Sequence, residues 1–180
     1  MPKETTTQQS TSAEDGPVAT VVLRNPTVAD AAEVWQLVRE SGVLDANSCY
    51  VYLLLCEHFS DTCVVALRDD DLVGFVTAYR LPKRPDVLFV WQVGVDVSAR
   101  RQGLGKTLLD HLLDLPACQG IRFVEATVAP SNQASRRLFE SVARQRGASC
   151  TWRRGFVAAD FGGSSHEDEE LVRLGPFLQG

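Results

Sequence analysis

The sequence lacks the clusters of cysteine and histidine that hold metals or pair into disulfides. Its five cysteines form no CxxC pair, and its three histidines lie far apart in the chain. A zinc site or a disulfide framework needs closely spaced ligands or paired thiols. We therefore predict no bound metal, and we expect reduced, mostly buried thiols in a cytoplasmic protein.

Long apolar runs and an excess of basic residues are also missing. No run approaches the roughly 20 apolar residues of a membrane-spanning helix. The formal net charge is −5, whereas a protein that contacts nucleic-acid phosphates usually needs a basic surface. We expect neither a membrane nor a nucleic-acid partner.

The length of 180 residues is enough for one domain with a full core. Residues 1–17 are rich in threonine, serine, glutamine and acidic residues and contain no hydrophobic segment. They predict a disordered tail rather than a secretory signal. Residues 18–180 are predicted to form the folded domain.

Hydrophobic periodicity and turn residues predict the element order β-α-α-β-β-β-α-β-α-β-β. The run VLFVWQVGVDV is almost wholly apolar, as expected for a strand that is buried on both faces. Leu104, Leu108, Leu112 and Leu115 recur at helical spacing, and Pro116 ends that helix. The fold class is therefore α/β with a mixed sheet.

The stretch ARRQGLGKTLL, residues 99–109, predicts a phosphate site. Gly103 and Gly105 follow the apolar strand and precede a helix, so backbone N–H groups can approach an anion closely. The nucleoside-triphosphate loop would need glycine at Arg100, and the dinucleotide motif would need glycine at Leu108. The pattern that fits is R-x-x-G-x-G; an ordinary tight turn and a nucleotide-binding switch are the alternatives.

Together with the second motif, PSNQAS, this pattern resembles the coenzyme A site of the GNAT N-acetyltransferase superfamily. The resemblance implies a mostly antiparallel central sheet flanked by helices, with acetyl-CoA as co-substrate. The backbone at Val93, Gly94 and Val95 would pair with the pantetheine arm. The pyrophosphate would be held by the loop residues Arg100, Arg101, Gln102, Gly103, Leu104, Gly105 and Lys106. Asn132 is expected near the pantetheine arm, or as a helix N-cap, and the two roles can coexist.

Longer stretches carry a more specific likeness. The segments SGVLDANSCYVYLLLCEHFSDTCVVA, GFVTAYRLPKRPDVLFVWQVGVD and HEDEELVRL closely resemble the diaminobutyrate acetyltransferases of ectoine biosynthesis, and the likeness runs from about Leu23 to Leu174. It implies acetylation of the 4-amino group of L-2,4-diaminobutyrate by a cytoplasmic homodimer. Another small amine, a protein amine, or a non-catalytic coenzyme A sensor are the alternatives.

The same resemblance makes Asp45, Trp91 and Glu169 the candidates for acceptor binding. The two carboxylates would pair with the ammonium groups of the acceptor, and the indole would line its aliphatic chain. Asp45 as a turn residue, Trp91 as a core aromatic, and the HEDEE loop as a solvated acidic segment are the competing interpretations.

For catalysis, Glu125 at the end of its strand is the first choice of general base. Backbone N–H groups near Gly94 and Val95 are expected to stabilise the oxyanion. Phe139 stands where many superfamily members have a tyrosine that protonates the leaving thiolate. Tyr50 is the candidate acid in its place; Tyr52, or no acid at all, are the alternatives.

Overall fold

The computed structural model describes residues 20–162 and 166–177; the predicted tail, residues 1–17, lies outside them. Over the described residues the element order is the one that the sequence predicts. The strands are β1 Val21–Arg24, β2 Val64–Arg68, β3 Asp71–Leu81, β4 Arg84–Val95, β5 Phe123–Val128, β6 Cys150–Arg154 and β7 Glu170–Leu174. The α-helices are α1 Ala31–Ser41, α2 Cys49–His58, α3 Leu104–Asp114 and α4 Gln133–Gln145.

The seven strands form one sheet in the order β1-β2-β3-β4-β5-β7-β6. Every pairing is antiparallel except that of β4 with β5. These two parallel strands pair only at Val87–Phe123, Leu88–Val124 and Phe89–Glu125. Beyond Phe89 they diverge, so the sheet opens into a V at their carboxyl ends.

Apolar side chains fill both faces of the sheet. Leu104, Leu108 and Leu112 of α3 pack on one face, which confirms the predicted helical stripe, and α4 adds Phe139 to the same cluster. Helices α1 and α2 cover the other face around Phe75. Among the described residues, no helix has both the length and the apolar character to cross a membrane.

A bulge in β4 changes which face its side chains reach. Thr77 of β3 is opposite Gln92 and Ala78 is opposite Val90, so Trp91 is an extra residue in β4. An extra residue interrupts the alternation of side chains along a strand. Trp91 and Gln92 therefore both reach the side of α1 and α2, where Trp91 packs and Gln92 bonds to Tyr52, whereas Val90 and Val93 lie on the side of α3 and α4.

Gly94, two residues after Gln92, is required by close packing. A Cβ atom built on Gly94 would lie 2.3 Å from Cε1 of Phe75 and 3.0 Å from Cδ2 of Leu37. Phe75 is fully buried, so it has no free space into which to move. Glycine is therefore the residue that lets α1 and β3 pack against β4 beside the opening of the sheet.

The substitution Gly94→Ala is expected to destabilise the protein by about 1–3 kcal/mol, the usual cost of overpacking a core. Equilibrium unfolding in urea measures this change. Gly105→Ala is the matched control, because its Cβ would meet Leu138 at an ordinary 3.6 Å and alanine favours the helix. Equal stability of the two variants would contradict this description of the packing at Gly94.

Candidate active site

The V between β4 and β5 leads into a cavity of about 1260 Å³. Predicted residues for both substrates line it. They are Val93, Gly94, Val95, Arg100, Gly105 and Asn132 for the coenzyme, Asp45, Trp91 and Glu169 for the acceptor, and Glu125 for catalysis. Arg101, Gln102, Gly103, Leu104 and Lys106 lie in the adjoining loop and first turn of α3. One continuous space therefore joins the predicted phosphate loop to the predicted acceptor residues.

The phosphate loop has the backbone conformation that its glycine predicts. Gly103 is the N-cap of α3 with φ of +80°, in the left-handed region that glycine adopts without strain. The first N–H groups of a helix have no partner inside the helix, and the helix dipole favours an anion there. The N-terminus of α3 is therefore suited to hold a phosphate.

Side chains brace this loop from both sides. Arg100 donates from Nε to the carbonyl of Val95 at 3.0 Å. Arg68 donates to Oε1 of Gln102 at 3.0 Å, and Nε2 of Gln102 donates to the carbonyl of Ser98 at 2.9 Å. These bonds hold the backbone of the loop in place beside the N-terminus of α3.

Asn132 is an N-cap, as one of its two predicted roles requires. Its Oδ1 accepts a hydrogen bond from the N–H of Ser135 at 3.0 Å, at the start of α4. The residue also lines the cavity. Its contact with a pantetheine arm stays a prediction.

Two predicted acceptor residues converge on a histidine that the sequence pattern does not mark as a site residue. Nε2 of His166 lies 3.4 Å from Oδ2 of Asp45 and 3.8 Å from Oε1 of Glu169. The ring stacks on Phe161 with a centroid distance of 3.8 Å, and Nδ1 faces the carbonyl of Glu167 at 2.8 Å. The motif HEDEE contained this histidine, but only the fold places it beside Asp45.

The charge around His166 favours its protonated form. The Glu167 carbonyl and then the Asp45 carboxylate raise the pKa of His166 above its ordinary value of 6.5. One atom from each of Asp45, His166 and Glu169 lies within 4.8 Å of the others. Two carboxylates at this spacing are suited to a small cation, either an ammonium group or a metal ion.

The segment that carries His166 and Glu169 is fastened to the start of α4. Ser131 donates a hydrogen bond to the carboxylate of Glu167. Arg136 forms an ion pair with Glu170, and its guanidinium lies over the ring of Trp152 at 4.0 Å. The acceptor segment and the predicted pantetheine contact therefore share one anchor.

Trp91 combines the two interpretations offered for it. It lines the cavity, and its indole also stacks on the ring of Tyr52 with a centroid distance of 6.1 Å. Normal alternation after Val90 places this side chain on the side of α1 and α2, and the bulge keeps Gln92 on the same side.

Glu125 is placed at the cavity wall, but its contacts do not favour the predicted role of general base. Both of its oxygens accept hydrogen bonds from Arg84, at 2.8 and 2.7 Å, and Arg173 donates to one of them. Burial raises the pKa of Glu125, but the two arginines outweigh it and hold that pKa below 4.5. A carboxylate with a lowered pKa is a weaker base, so Glu125 is a charge partner that holds two arginines.

The tyrosines differ sharply in exposure. Tyr52 is fully buried and donates to Oε1 of Gln92 at 2.8 Å, and burial raises its pKa. Its hydroxyl proton is therefore used inside the core, and this geometry does not support Tyr52 as the acid. Tyr50 is 65% exposed in the first turn of α2, and within the described residues it is not part of the cavity lining. Its role as acid stays a prediction without support from this geometry. Phe139 is buried beside the cavity and has no proton to donate.

Comparison with known proteins identifies the family of this fold. The family model described as "Acetyltransferase (GNAT) family" matches residues 31–143. The L-2,4-diaminobutyric acid acetyltransferase of Shouchella clausii is 49% identical over 156 residues, which are 87% of each chain. That of Bordetella parapertussis is 51% identical over 156 residues, which are 86% of this chain and 84% of the relative.

A solved structure extends the similarity to three dimensions. The diaminobutyrate acetyltransferase of Paenibacillus lautus, in complex with its substrate L-2,4-diaminobutyric acid and coenzyme A, is 47% identical. It aligns with a TM-score of 0.87 over 91% of this chain and 99% of its own. The ribosomal-protein-S18-alanine N-acetyltransferase of Escherichia coli, at 18% identity and a TM-score of 0.63, shares the fold alone.

Gly103→Val is expected to raise the Kd for coenzyme A about tenfold or more, a loss of about 1.4 kcal/mol. Valine disfavours the left-handed backbone and fills the space in which a phosphate would approach. Isothermal titration calorimetry measures the change.

Gly120→Val is the matched control for this measurement. Gly120 has a φ of +79°, and like Gly103 it has no atom within 4 Å of a built Cβ. Both variants therefore bear a similar backbone strain, but only Gly103 lies in the phosphate loop. Equal affinities of the two variants for coenzyme A would contradict the placement of the phosphate site.

Proposed function

Since the chain belongs to the GNAT family of acetyltransferases, and within it to the L-2,4-diaminobutyric acid acetyltransferases, we propose that it transfers acetyl from acetyl-CoA to the 4-amino group of L-2,4-diaminobutyrate. The product is N4-acetyl-L-2,4-diaminobutyrate. This reaction is a step of ectoine biosynthesis and would therefore serve osmoprotection. The observation that carries the proposal is the alignment over 91% of this chain with a relative solved with both diaminobutyric acid and coenzyme A.

Acetyl-CoA is the co-substrate, and the V between β4 and β5 suits its pantetheine arm. Antiparallel pairing with β3 occupies the backbone groups on one side of β4, but beyond Phe89 no pairing with β5 occupies the other side. The amides of the pantetheine arm can pair there as an added strand would. The pyrophosphate then reaches the N-terminus of α3, and the thioester lies at the inner end of the V.

The acceptor carries two ammonium groups and one carboxylate near neutral pH. Asp45 and Glu169 supply negative charge at the end of the cavity that faces the loop between α1 and α2. We assign them to the ammonium groups, with Trp91 beside the aliphatic chain. At the cavity wall, the guanidinium groups of Arg84 and Arg173 form ion pairs with Glu125 and offset its negative charge.

The attacking amine must lose a proton, because an ammonium group with a pKa of about 10 has no free electron pair. We assign this proton transfer to His166 in place of Glu125. In the free enzyme the Glu167 carbonyl and then the Asp45 carboxylate raise the pKa of His166 and favour its imidazolium form. An arriving ammonium group disfavours that form, so the imidazolium releases its proton to water and Nε2 becomes a base. Asp45 and Glu169 then hold the amine close to that nitrogen.

Two further steps complete the transfer. Backbone N–H groups near Gly94 and Val95 are our candidates for stabilising the oxyanion. We propose that the thiolate of coenzyme A leaves without a protonating tyrosine, because thiols have a pKa of about 8.5 and are good leaving groups. The family resemblance alone supports a homodimer in the cytoplasm without a nucleic-acid or membrane partner, and light scattering tests the assembly.

The substrate assignment predicts acetylation at N4 of diaminobutyrate, located by tandem mass spectrometry of the product. Ornithine, lysine and an amine-bearing peptide are the matched acceptors, and turnover with each is expected to be at least about tenfold lower, since a site built for one chain length loses contacts with another. Activity is expected to persist in EDTA. Equal turnover of all four acceptors, or acetylation at N2, would overturn the assignment.

The assignment of the base predicts how kcat/KM for diaminobutyrate depends on pH. This ratio reports the free enzyme, in which the pKa of His166 is raised above 6.5, so wild-type activity is expected to fall as the pH drops through that value. His166→Gln should remove this inflection and lower kcat about 100-fold, the typical contribution of a general base.

Glu125→Gln is the comparison variant for the same pH profile. It is expected to keep the inflection and to lose stability, because two arginines lose their partner. An unchanged profile in His166→Gln, with the inflection lost in Glu125→Gln, would restore Glu125 as the base.

A further inference from the structure

The position of Asp45 depends on side chains outside its own segment. The loop 42–48 between α1 and α2 has no regular secondary structure, and the Asp45 side chain is 73% exposed. Two bonds from α1 fix the ends of this loop. Nε1 of Trp35 donates to the carbonyl of Asn47 at 2.9 Å, and Oγ of Ser41 accepts from the N–H of Leu44 at 3.1 Å.

The centre of the loop is held from the sheet. Nε2 of Gln92 donates to the carbonyl of Asp45 at 3.1 Å. Gln92 follows the bulge residue Trp91 in β4 and is itself buried. This bond joins the strand beside the reaction centre to the residue that we assign to an ammonium group.

Gln92 is oriented in turn by Tyr52. The buried hydroxyl of Tyr52 donates to Oε1 of Gln92 at 2.8 Å. An amide has an accepting end and a donating end, so a donor at Oε1 turns the NH₂ end toward the loop. Because burial raises the pKa of Tyr52, its hydroxyl keeps the proton that this arrangement needs.

We propose that Tyr52 and Gln92 are positioning residues for the acceptor: the hydrogen-bonded chain Tyr52–Gln92–Asp45 holds the Asp45 loop where its carboxylate meets His166. The proposal rests on the proposed function for the identity of the acceptor. The chain acts through the Asp45 backbone, so it affects how the acceptor is bound without taking part in proton transfer.

The contact between Tyr52 and Trp91 supports this role. The two rings stack with an interplanar angle of 21°. The buried ring of Tyr52 therefore supports Trp91 in the cavity wall, and its hydroxyl begins the hydrogen-bonded chain Tyr52–Gln92–Asp45. Tyr52→Phe keeps that ring and removes only the hydroxyl. The variant therefore tests the hydrogen-bonded chain and leaves the stacking in place.

Steady-state kinetics of Tyr52→Phe, Gln92→Met and the double variant test the proposal. Each single change is expected to raise KM for diaminobutyrate about five- to tenfold, the usual effect of one lost buried hydrogen bond. KM for acetyl-CoA is expected to change by less than about twofold. Since both residues act in one chain, the double variant should be no worse than Gln92→Met alone.

Thr62→Val is the matched control for a purely structural effect. Thr62 also donates a buried hydrogen bond, to the carbonyl of Ala78 at 2.7 Å, and it lies outside the cavity lining. Thr62→Val should lower the free energy of unfolding about as much as Tyr52→Phe does, but it should leave the KM for diaminobutyrate and the KM for acetyl-CoA unchanged. The proposal is overturned if Tyr52→Phe behaves like Thr62→Val, or if the effects of Tyr52 and Gln92 simply add. If Gln92→Met does not fold, Tyr52→Phe against Thr62→Val still decides.

Hydrogen exchange without substrate separates this proposal from the proposed function. Amides of residues 43–47 should exchange faster in Tyr52→Phe than in wild type, and should not change in Thr62→Val. Suppose that exchange is faster in Tyr52→Phe but the wild-type enzyme does not acetylate diaminobutyrate. This result would overturn the substrate assignment and would support the positioning role of Tyr52 and Gln92. Normal exchange and an unchanged KM in an enzyme that does acetylate it would overturn the chain alone.

Discussion

The structure depends above all on the short parallel pairing between β4 and β5. Three residue pairs hold the two strands together, and beyond them the backbone of β4 has an uncommitted edge in the middle of the sheet. A buried backbone group needs a hydrogen-bond partner, so such an edge inside a protein is a place for a ligand. The predicted phosphate loop and the cavity both take their positions from this divergence, since the helix after β4 lies at one end of the V and the bulged strand forms its wall.

Carboxylates of the same kind have opposite uses around this cavity. The positive charges of Arg84 and Arg173 offset the negative charge of Glu125 and lower the pKa of its carboxyl group. Asp45 and Glu169 instead share His166, a group that changes its charge near neutral pH. The difference comes from the neighbours and not from the residue type: a carboxylate tied to two permanent cations is fixed in one state, whereas a pair around a histidine can exchange its cation for a substrate ammonium group.

The sequence predicts the order of the elements, the stripe of α3, the glycine turn and the family, because these depend on local patterns and on long similar segments. The sequence does not predict which cavity carboxylate is paired with arginine and which is not. Arg84 and Arg173 reach Glu125 from two other strands, and His166 meets Asp45 across most of the chain. Such long-range contacts depend on strand register and on the bulge at Trp91. The pattern of apolar and polar residues along the sequence indicates neither of these. Tyr52 illustrates the same limit, since only its full burial shows that its hydroxyl belongs to the core.

The bulge at Trp91 also constrains how this strand can change in length. Side chains alternate with a period of two, so one residue more or fewer in a regular stretch of the strand exchanges the faces of everything that follows. Deleting the bulge residue Trp91 would give an unbroken ladder with β3 and would keep Gln92 opposite Thr77 and Gly94 opposite Phe75, yet it would remove the ring that stacks on Tyr52 and lines the cavity. Insertions and deletions should therefore be tolerated in the hairpin turns around β4 but not within the strand, where a more regular sheet would be a less functional one.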